Sequence, residues 1–244
     1  MTNNILVTGG TGTLGRHVVP LLRERATVRV LSRHSGDVTG DLLTGEGVAA
    51  ALDGADTVVH LAGDAKHDEQ TTHHLVRAAQ SAGIGHVVFI SVIAADEIPL
   101  GYYRAKHAAE RIVAESGLPW TTLRAAQFHD LVLTVSRALA KSPLVPLPGM
   151  RLQPVDARDV AARLADLAFA EPAGLVADLA GPRVYGMKEL IRGYLQASGK
   201  HRLTFPVRLP GAVGRTYRAA DNLNLAADRG ARTWEAYLAE KFPG

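Results

Sequence analysis

Tyr102 and Lys106, four residues apart in the stretch GYYRAKHAAE, are the right types to move a proton. A free phenol titrates near 10 and is a reluctant acid at neutral pH. An ammonium beside it favours the phenolate, so a lowered pKa and a serviceable general acid are expected at Tyr102. Residues four apart share a helix face, so a helix here would bring the two together. Ala105, Ala109, Ile112 and Val113 mark the inward face, with Tyr102 and Lys106 at its edge. Tyr103 lies about 100° further round and is expected to point away. The pair does chemistry only where the rest of the chain brings a redox cofactor to it.

That cofactor is signalled at the start of the chain. In NILVTGGTGTLG, Gly9, Gly12 and Gly15 follow a β-branched apolar run and precede the helical pattern LGRHVVPLL. Glycines allow a tight turn and close backbone approach, while a helix N-terminus offers free N–H groups and positive dipole to a pyrophosphate. The second β-rich run ends in VLSRHS, where a carboxylate would hold an NAD ribose 2′-hydroxyl. Ser32 and Arg33 stand there instead. A guanidinium beside a hydroxyl suits a 2′-phosphate, so NADPH is expected in preference to NAD.

The intervening chain alternates strand-like and helix-like runs. Strands are predicted over residues 4–10, 26–33, 56–63, 85–92 and 118–126, with a weaker candidate at 36–42. Helical patterns lie between them, several ending at Gly where a left-handed cap is expected. Such alternation predicts an α/β fold, a doubly wound parallel Rossmann sheet with helices on both faces. After residue 126 the rhythm loosens, and KSPLVPLPGM (141–150) reads as a Pro-punctuated loop bordering a cleft. A single NAD(P)-binding domain over 1–244 is expected. Residues 1–126 form its Rossmann core, 127–155 and 182–244 mainly a small C-terminal substrate lobe, and 156–181 return to the core.

Composition narrows the function classes. Hydrophobic and charged contents of 47% and 21% are those of a globular chain. The absence of cysteine removes disulfides, thiolate nucleophiles and Cys-based metal sites. A net charge of +3, without a basic stripe or a known module, argues against nucleic acid. No apolar run reaches the roughly 18–20 residues of a membrane span, and no signal peptide is visible, so a cytoplasmic location off the membrane is expected.

Taken in order, TGGTGTLG, GDL, VVHLAG, FISV, YYRAK and LPWTTLRAAQF resemble the short-chain dehydrogenases/reductases, in particular the atypical, NmrA-like NAD(P)H-binding subgroup. The resemblance extends through QPVDARDVA to TWEAYLA near the end. It implies that Gly9, Thr11, Gly12, Thr13 and Leu14 cradle the pyrophosphate and that Asp41 and Leu42 meet the adenine. By the same resemblance Leu61, Ala62 and Gly63 line the cofactor, and Ala125, Ala126 and Gln127 border the nicotinamide. It also implies a catalytic set of Ser91, Tyr102 and Lys106. Ser91 would hold the substrate oxygen, Tyr102 would protonate it, and Lys106 would also grip the nicotinamide ribose. The activity implied is reduction of a small carbonyl or enone by NADPH. NmrA-like members can also bind NADP(H) without reducing anything, so a regulatory cofactor sensor is the alternative.

Other features carry weaker expectations. Phe128 and His129 follow the sixth strand, where open α/β sheets place their crevice, and are candidate substrate-pocket walls. Gln153 is expected to face the same cleft. AKHDEQTTHH (65–74) gathers histidines and acids without any metal-ligand spacing, so no metal is expected and its acids suit a helix start. Asp156 and Asp159 read as the cap and first turn of a helix. An epimerase is disfavoured because no phosphate clamp for a sugar nucleotide is visible. The remaining partner expectation is a small-molecule substrate, with the chain a monomer or homodimer.

Overall fold

The computed structural model describes residues 3–63 and 66–243. Expectations about the first two residues, and about the Ala65 end of the histidine-rich stretch, fall outside those residues.

The N-terminal half runs β1 (Asn4–Thr8), α1 (Gly15–Arg23), β2 (Thr27–Ser32), β3 (Val38–Thr39), α2 (Val48–Leu52), β4 (Thr57–His60), α3 (Asp68–Ala82), β5 (His86–Val92), α4 (Gly101–Ala114) and β6 (Trp120–Ala125). The remainder runs α5 (His129–Leu139), β7 (Leu144–Pro148), β8 (Arg151–Leu152), α6 (Ala157–Phe169), β9 (Gly174–Leu175), β10 (Leu179–Ala180), β11 (Tyr185–Gly186), α7 (Met187–Ala197), β12 (Leu203–Val207), α8 (Gly211–Ala219), β13 (Asp228–Arg229) and α9 (Trp234–Lys241).

Among the described residues a nine-stranded sheet has the order β3-β2-β1-β4-β5-β6-β10-β13, with β9 also pairing β6, and every pairing in it is parallel. Both faces are covered, which explains why the strands read as continuous apolar runs. Along β1, Ile5 and Val7 pack with Val18 and Leu22 of α1 and Leu164 of α6. Leu6, between them, packs on the other face with Leu52 of α2, Leu75 of α3 and Val113 of α4. The order reverses between β1 and β4, so the two chain segments leaving those strands open a crevice at the sheet's C-terminal edge.

Between residues 174 and 181 the strand is two short pieces, β9 and β10, because the chain moves along β6 between them. The segment read as a loop, 141–150, contains β7, paired in parallel with β12. Prolines are tolerated there because each strand of a two-stranded ribbon has one side free of ladder bonds. The lobe has its own core of Trp234, Tyr185, Tyr194, Leu190 and Ile191, gathered from α7, α9 and β11. Asp156 caps α6 by accepting from the Arg158 N–H at 2.8 Å, as its position predicts. Asp159 does more than open the helix, since its carboxylate also accepts from the Ala231 and Arg232 N–H groups of the lobe. Among the described residues no helix is long and apolar enough to cross a membrane.

Candidate active site

The turn after β1 is built so tightly that backbone takes the space of side chains. Gly9 has φ +71°, and a Cβ there would lie 2.5 Å from the Ala62 nitrogen. The crevice over this turn has two connected ends that share Gly9, Thr11, Ala62 and Gly63. At one end, of about 320 Å³, Ser32, Arg33, Asp41 and Leu42 gather around the turn. Arg33 is exposed and has no ion pair among the described residues. The Ser32 hydroxyl accepts from the His34 and Ser35 N–H groups. The loop carrying Asp41 and Leu42 is braced from α3, where the His74 ring and the Gln70 amide donate to the Leu42 and Leu43 carbonyls.

At the other end, of about 650 Å³, the structure brings together Gly12, Thr13, Leu14, Leu61, Ser91, Tyr102, Lys106, Ala125, Ala126, Gln127 and Phe128. Lys106 is 7% exposed and its ammonium sits 3.2 Å from Asp68, itself 1% exposed. Gly63 makes room for that pair, because a Cβ there would meet the Asp68 carboxylate at 2.5 Å and the Lys106 nitrogen at 2.8 Å. The Lys106 ammonium also lies over the Phe89 ring, 5.2 Å from its centroid. Sequence reasoning assigned Asp68 only to the helix dipole and missed this role. The two partners sit on different helices, so no local spacing joins them.

The pairing corrects the expectation for Tyr102. Its pKa is raised, first by burial of the ring and then by the Asp68 charge. The carboxylate cancels the cation that was to favour the phenolate. Tyr102 remains 41% exposed at the mouth of the crevice. The inward face of α4 also differs from the expected one, running through Tyr103, Lys106, Ala109, Glu110 and Val113. Tyr103 therefore points in rather than away. Its ring meets Tyr102 edge-on at 5.4 Å, and its hydroxyl accepts from the Gln127 amide at 3.0 Å. Burial and the neighbouring Tyr217 of α8 hold the Tyr103 phenol above its ordinary range.

Ser91, at the end of β5, is 5% exposed, and its hydroxyl has no hydrogen-bond partner among the described residues. A buried hydroxyl on a cavity wall without a partner leaves capacity that a bound oxygen can satisfy. Phe128 lies on the same wall. His129 and Gln153 do not, and their expected place in the substrate pocket is corrected. His129 is 0% exposed, packed 5.2 Å from the Tyr237 ring and 5.7 Å from Trp234, with Nδ1 3.9 Å from Asp156. The first residue of α5 thus turns into the lobe core, away from the crevice. The buried Gln153 donates to the Gly181 carbonyl at 2.8 Å and ties β8 to the end of β10.

A glycine turn at a parallel-sheet switch point, a free guanidinium at one end and an unsatisfied serine hydroxyl at the other define a dinucleotide-binding protein of the Rossmann class. Residues 9–171 match the NAD(P)H-binding family, and the chain belongs to it, in the NmrA-like branch of the atypical short-chain dehydrogenases/reductases. It is 33% identical over 173 residues to the NAD(P)H azoreductase of Xenophilus azovorans, covering 65% of this chain and 60% of that protein. It is also 33% identical over 175 residues to the (4-alkanoyl-5-oxo-2,5-dihydrofuran-3-yl)methyl phosphate reductase of Streptomyces griseus, with the same coverage. The chain thus spans 60% of the length of both relatives. Among solved structures, an NADPH-dependent quinone oxidoreductase of Escherichia coli complexed with NADPH superposes with a TM-score of 0.78. The identity there is 19%, over 98% of this chain and 99% of that one, a likeness of fold.

Proposed function

We propose that the protein is an NADPH-dependent oxidoreductase that reduces a small carbonyl or enone. The observation that carries this reading is the buried, unpartnered Ser91 hydroxyl on the same wall as Tyr102 and Lys106. The relatives, one named as an NAD(P)H azoreductase and the other as a reductase, support it.

Bound NADPH would supply a hydride to the substrate carbon. Gly9, Thr11, Gly12, Thr13 and Leu14 would hold its pyrophosphate against the start of α1, where free N–H groups and the positive end of the dipole favour an anion. Ser32 and Arg33 would take the 2′-phosphate, Asp41 and Leu42 the adenine, and Leu61, Ala62 and Gly63 the middle of the cofactor. Ala125, Ala126 and Gln127 would flank the nicotinamide, with Phe128 walling the substrate, and Lys106 would reach the ribose from its place beside Asp68. Ser91 donates a hydrogen bond to the substrate oxygen, which becomes negative as the C=O electron pair moves onto it. Tyr102 gives that oxygen its proton. A raised pKa keeps the phenol protonated at neutral pH, and its exposure allows solvent to restore the proton afterwards.

A specific observation favours the second reading, a cofactor-sensing regulator. The Lys106 charge is already committed to Asp68, which leaves Tyr102 a weaker acid than the expected arrangement would. Tyr102→Phe separates the two. Under the reductase reading kcat falls about a hundredfold, a typical share for a general acid, while the NADPH dissociation constant stays within about twofold. Unchanged turnover removes Tyr102 as the acid. An NADPH-binding protein that consumes no NADPH with quinones, enones or azo compounds is the regulator.

A further inference from the structure

Four cations of the C-terminal lobe are arranged unlike the paired arginines of the molecule. Arg16, Arg23, Arg124, Arg158 and Arg183 each face a carboxylate within 3.0 Å. Arg151 of β8, Lys188 and Arg192 of α7, and Arg218 of α8 instead line one cavity of about 510 Å³ whose wall contains no acid. None of the four has an ion pair among the described residues, and Arg218 alone is otherwise engaged, donating to the Leu209 carbonyl at 2.9 Å. The adjacent Glu189 is turned to Arg183 and to the Gly186 N–H. Like charges around one concavity repel one another, and an oxyanion is what relieves them. The sequence shows no phosphate clamp because its cations come from three separate elements, with only Lys188 and Arg192 at a visible helical spacing.

This cavity does not stand alone. Pro148, Met150, Met187 and Tyr217 form a wall common to it and a second cavity of about 440 Å³. That second cavity lies between α5 and the β7–β12 ribbon, lined by Val132, Val135, Leu139, Pro146, Leu152 and Val207 among others, with no charged residue. It shares Gln127, Leu131 and Tyr217 with the crevice end that holds Ser91 and Tyr102. Tyr217 touches all three. The path from the reacting end is thus apolar first and cationic last.

We propose that the substrate is an amphiphilic phosphate ester. Its anionic head is held by Arg151, Lys188, Arg192 and Arg218, and its apolar segment crosses the cavity between α5 and the ribbon. Its reducible group reaches Ser91 and Tyr102. The placing of that group rests on the reductase reading, whereas the anion and apolar sites stand on their own residues.

Equilibrium binding tests this with the cofactor-loaded protein, so that the cofactor's own phosphate sites are filled. Hexyl phosphate, hexanol and inorganic phosphate are titrated calorimetrically at saturating NADP⁺. Hexyl phosphate is expected to bind at least tenfold tighter than either of the others, and to lose that advantage in K188Q/R192Q. The NADP⁺ affinity of the same preparation reports that the variant is folded. Hexyl phosphate binding no better than hexanol, or equally well to the double variant, overturns the anion site. Inorganic phosphate binding as tightly as hexyl phosphate overturns the apolar segment. The expected pattern without any substrate-dependent NADPH consumption keeps the proposed ligand site and removes the reductase reading, so the two failures are distinguishable.

Discussion

The crevice over the glycine turn and the cavities beside it are walled in two different ways. The wall that faces the cofactor is backbone and buried charge: Gly9 against Ala62, Gly63 against the Asp68–Lys106 pair, and the parallel sheet behind them. The wall of the proposed substrate cavities is side chains from α5, α7, α8 and the ribbon, several of them exposed. Packed backbone has no cheap way to yield, whereas long side chains do. The first wall therefore holds its shape against substitution, and the second can change without disturbing it. Substitutions on the two walls should differ in kind as well as in size.

The largest effect belongs at Gly9. A Cβ would sit 2.5 Å from the Ala62 nitrogen and 2.7 Å from the Leu61 carbonyl carbon, at a φ of +71° that side chains rarely adopt. Gly9→Val should weaken NADP⁺ binding by about a hundredfold or more, roughly 2.7 kcal/mol, because the turn must open to admit the side chain. Fluorescence titration of the cofactor checks this. Retained affinity would mean the turn is softer than the packing implies.

Next is the buried pair. Asp68→Asn leaves the Lys106 ammonium largely buried without its carboxylate, which costs about 3 kcal/mol in comparable cases. Denaturant unfolding should show that loss. The same change removes a charge that raises the Tyr102 pKa, so the alkaline limb of kcat/KM should move to lower pH. A destabilised variant with an unmoved alkaline limb would show that Tyr102 does not titrate in the reaction.

A gentler test is acid. His60, beneath the crevice, bonds Thr8 at 2.6 Å and Thr72 at 3.2 Å and stacks on Phe89. Burial, and then the Lys106 charge, lower its pKa to about 3. The unfolded chain takes up that proton near 6.5 and the folded one does not, so the unfolded state binds more protons between the two values. Stability should therefore fall as pH drops from about 6.5 toward 3, by up to roughly 1.4 kcal/mol per pH unit from this residue. His86, also lowered by burial, adds to the same slope. His60→Asn should flatten the dependence of unfolding free energy on pH in this window. An equally steep slope would mean His60 charges without cost.

The contrast between the walls also explains what the sequence discloses. Strands β1, β2, β4, β5 and β6 are legible because both faces are buried, so Leu6 and Val7 can both be apolar although they point opposite ways. The glycine turn is legible because its residue types are set by local geometry. Tertiary pairing is not. Asp68 meets Lys106 across two helices, and no motif near either residue announces it. Helices α5 and α8 went unread, since the buried face of the first includes His129 and Ser136 and the second carries Gly211 and Gly214. Tyr103 was misplaced for a related reason. The apolar positions of α4 name a face, but the buried face also holds Lys106 and Glu110, each drawn in by a partner elsewhere in the fold.

The smallest effect is expected where the cofactor wall itself becomes an exposed side chain. Arg33 stands free at the smaller end of the crevice, with Ser32 the only other polar group of the VLSR turn there and no carboxylate at that position. An exposed guanidinium meeting a phosphate in high dielectric contributes modestly, on the scale of about 1.4 kcal/mol, or tenfold in affinity. Arg33→Ala should therefore lower the NADPH-to-NADH affinity ratio about tenfold while leaving NADH binding nearly unchanged, and raising salt should shrink the wild-type ratio in the same direction. An unchanged ratio would move the discrimination to the backbone around Gly40 and Asp41, and the cofactor wall would then be rigid along its whole length.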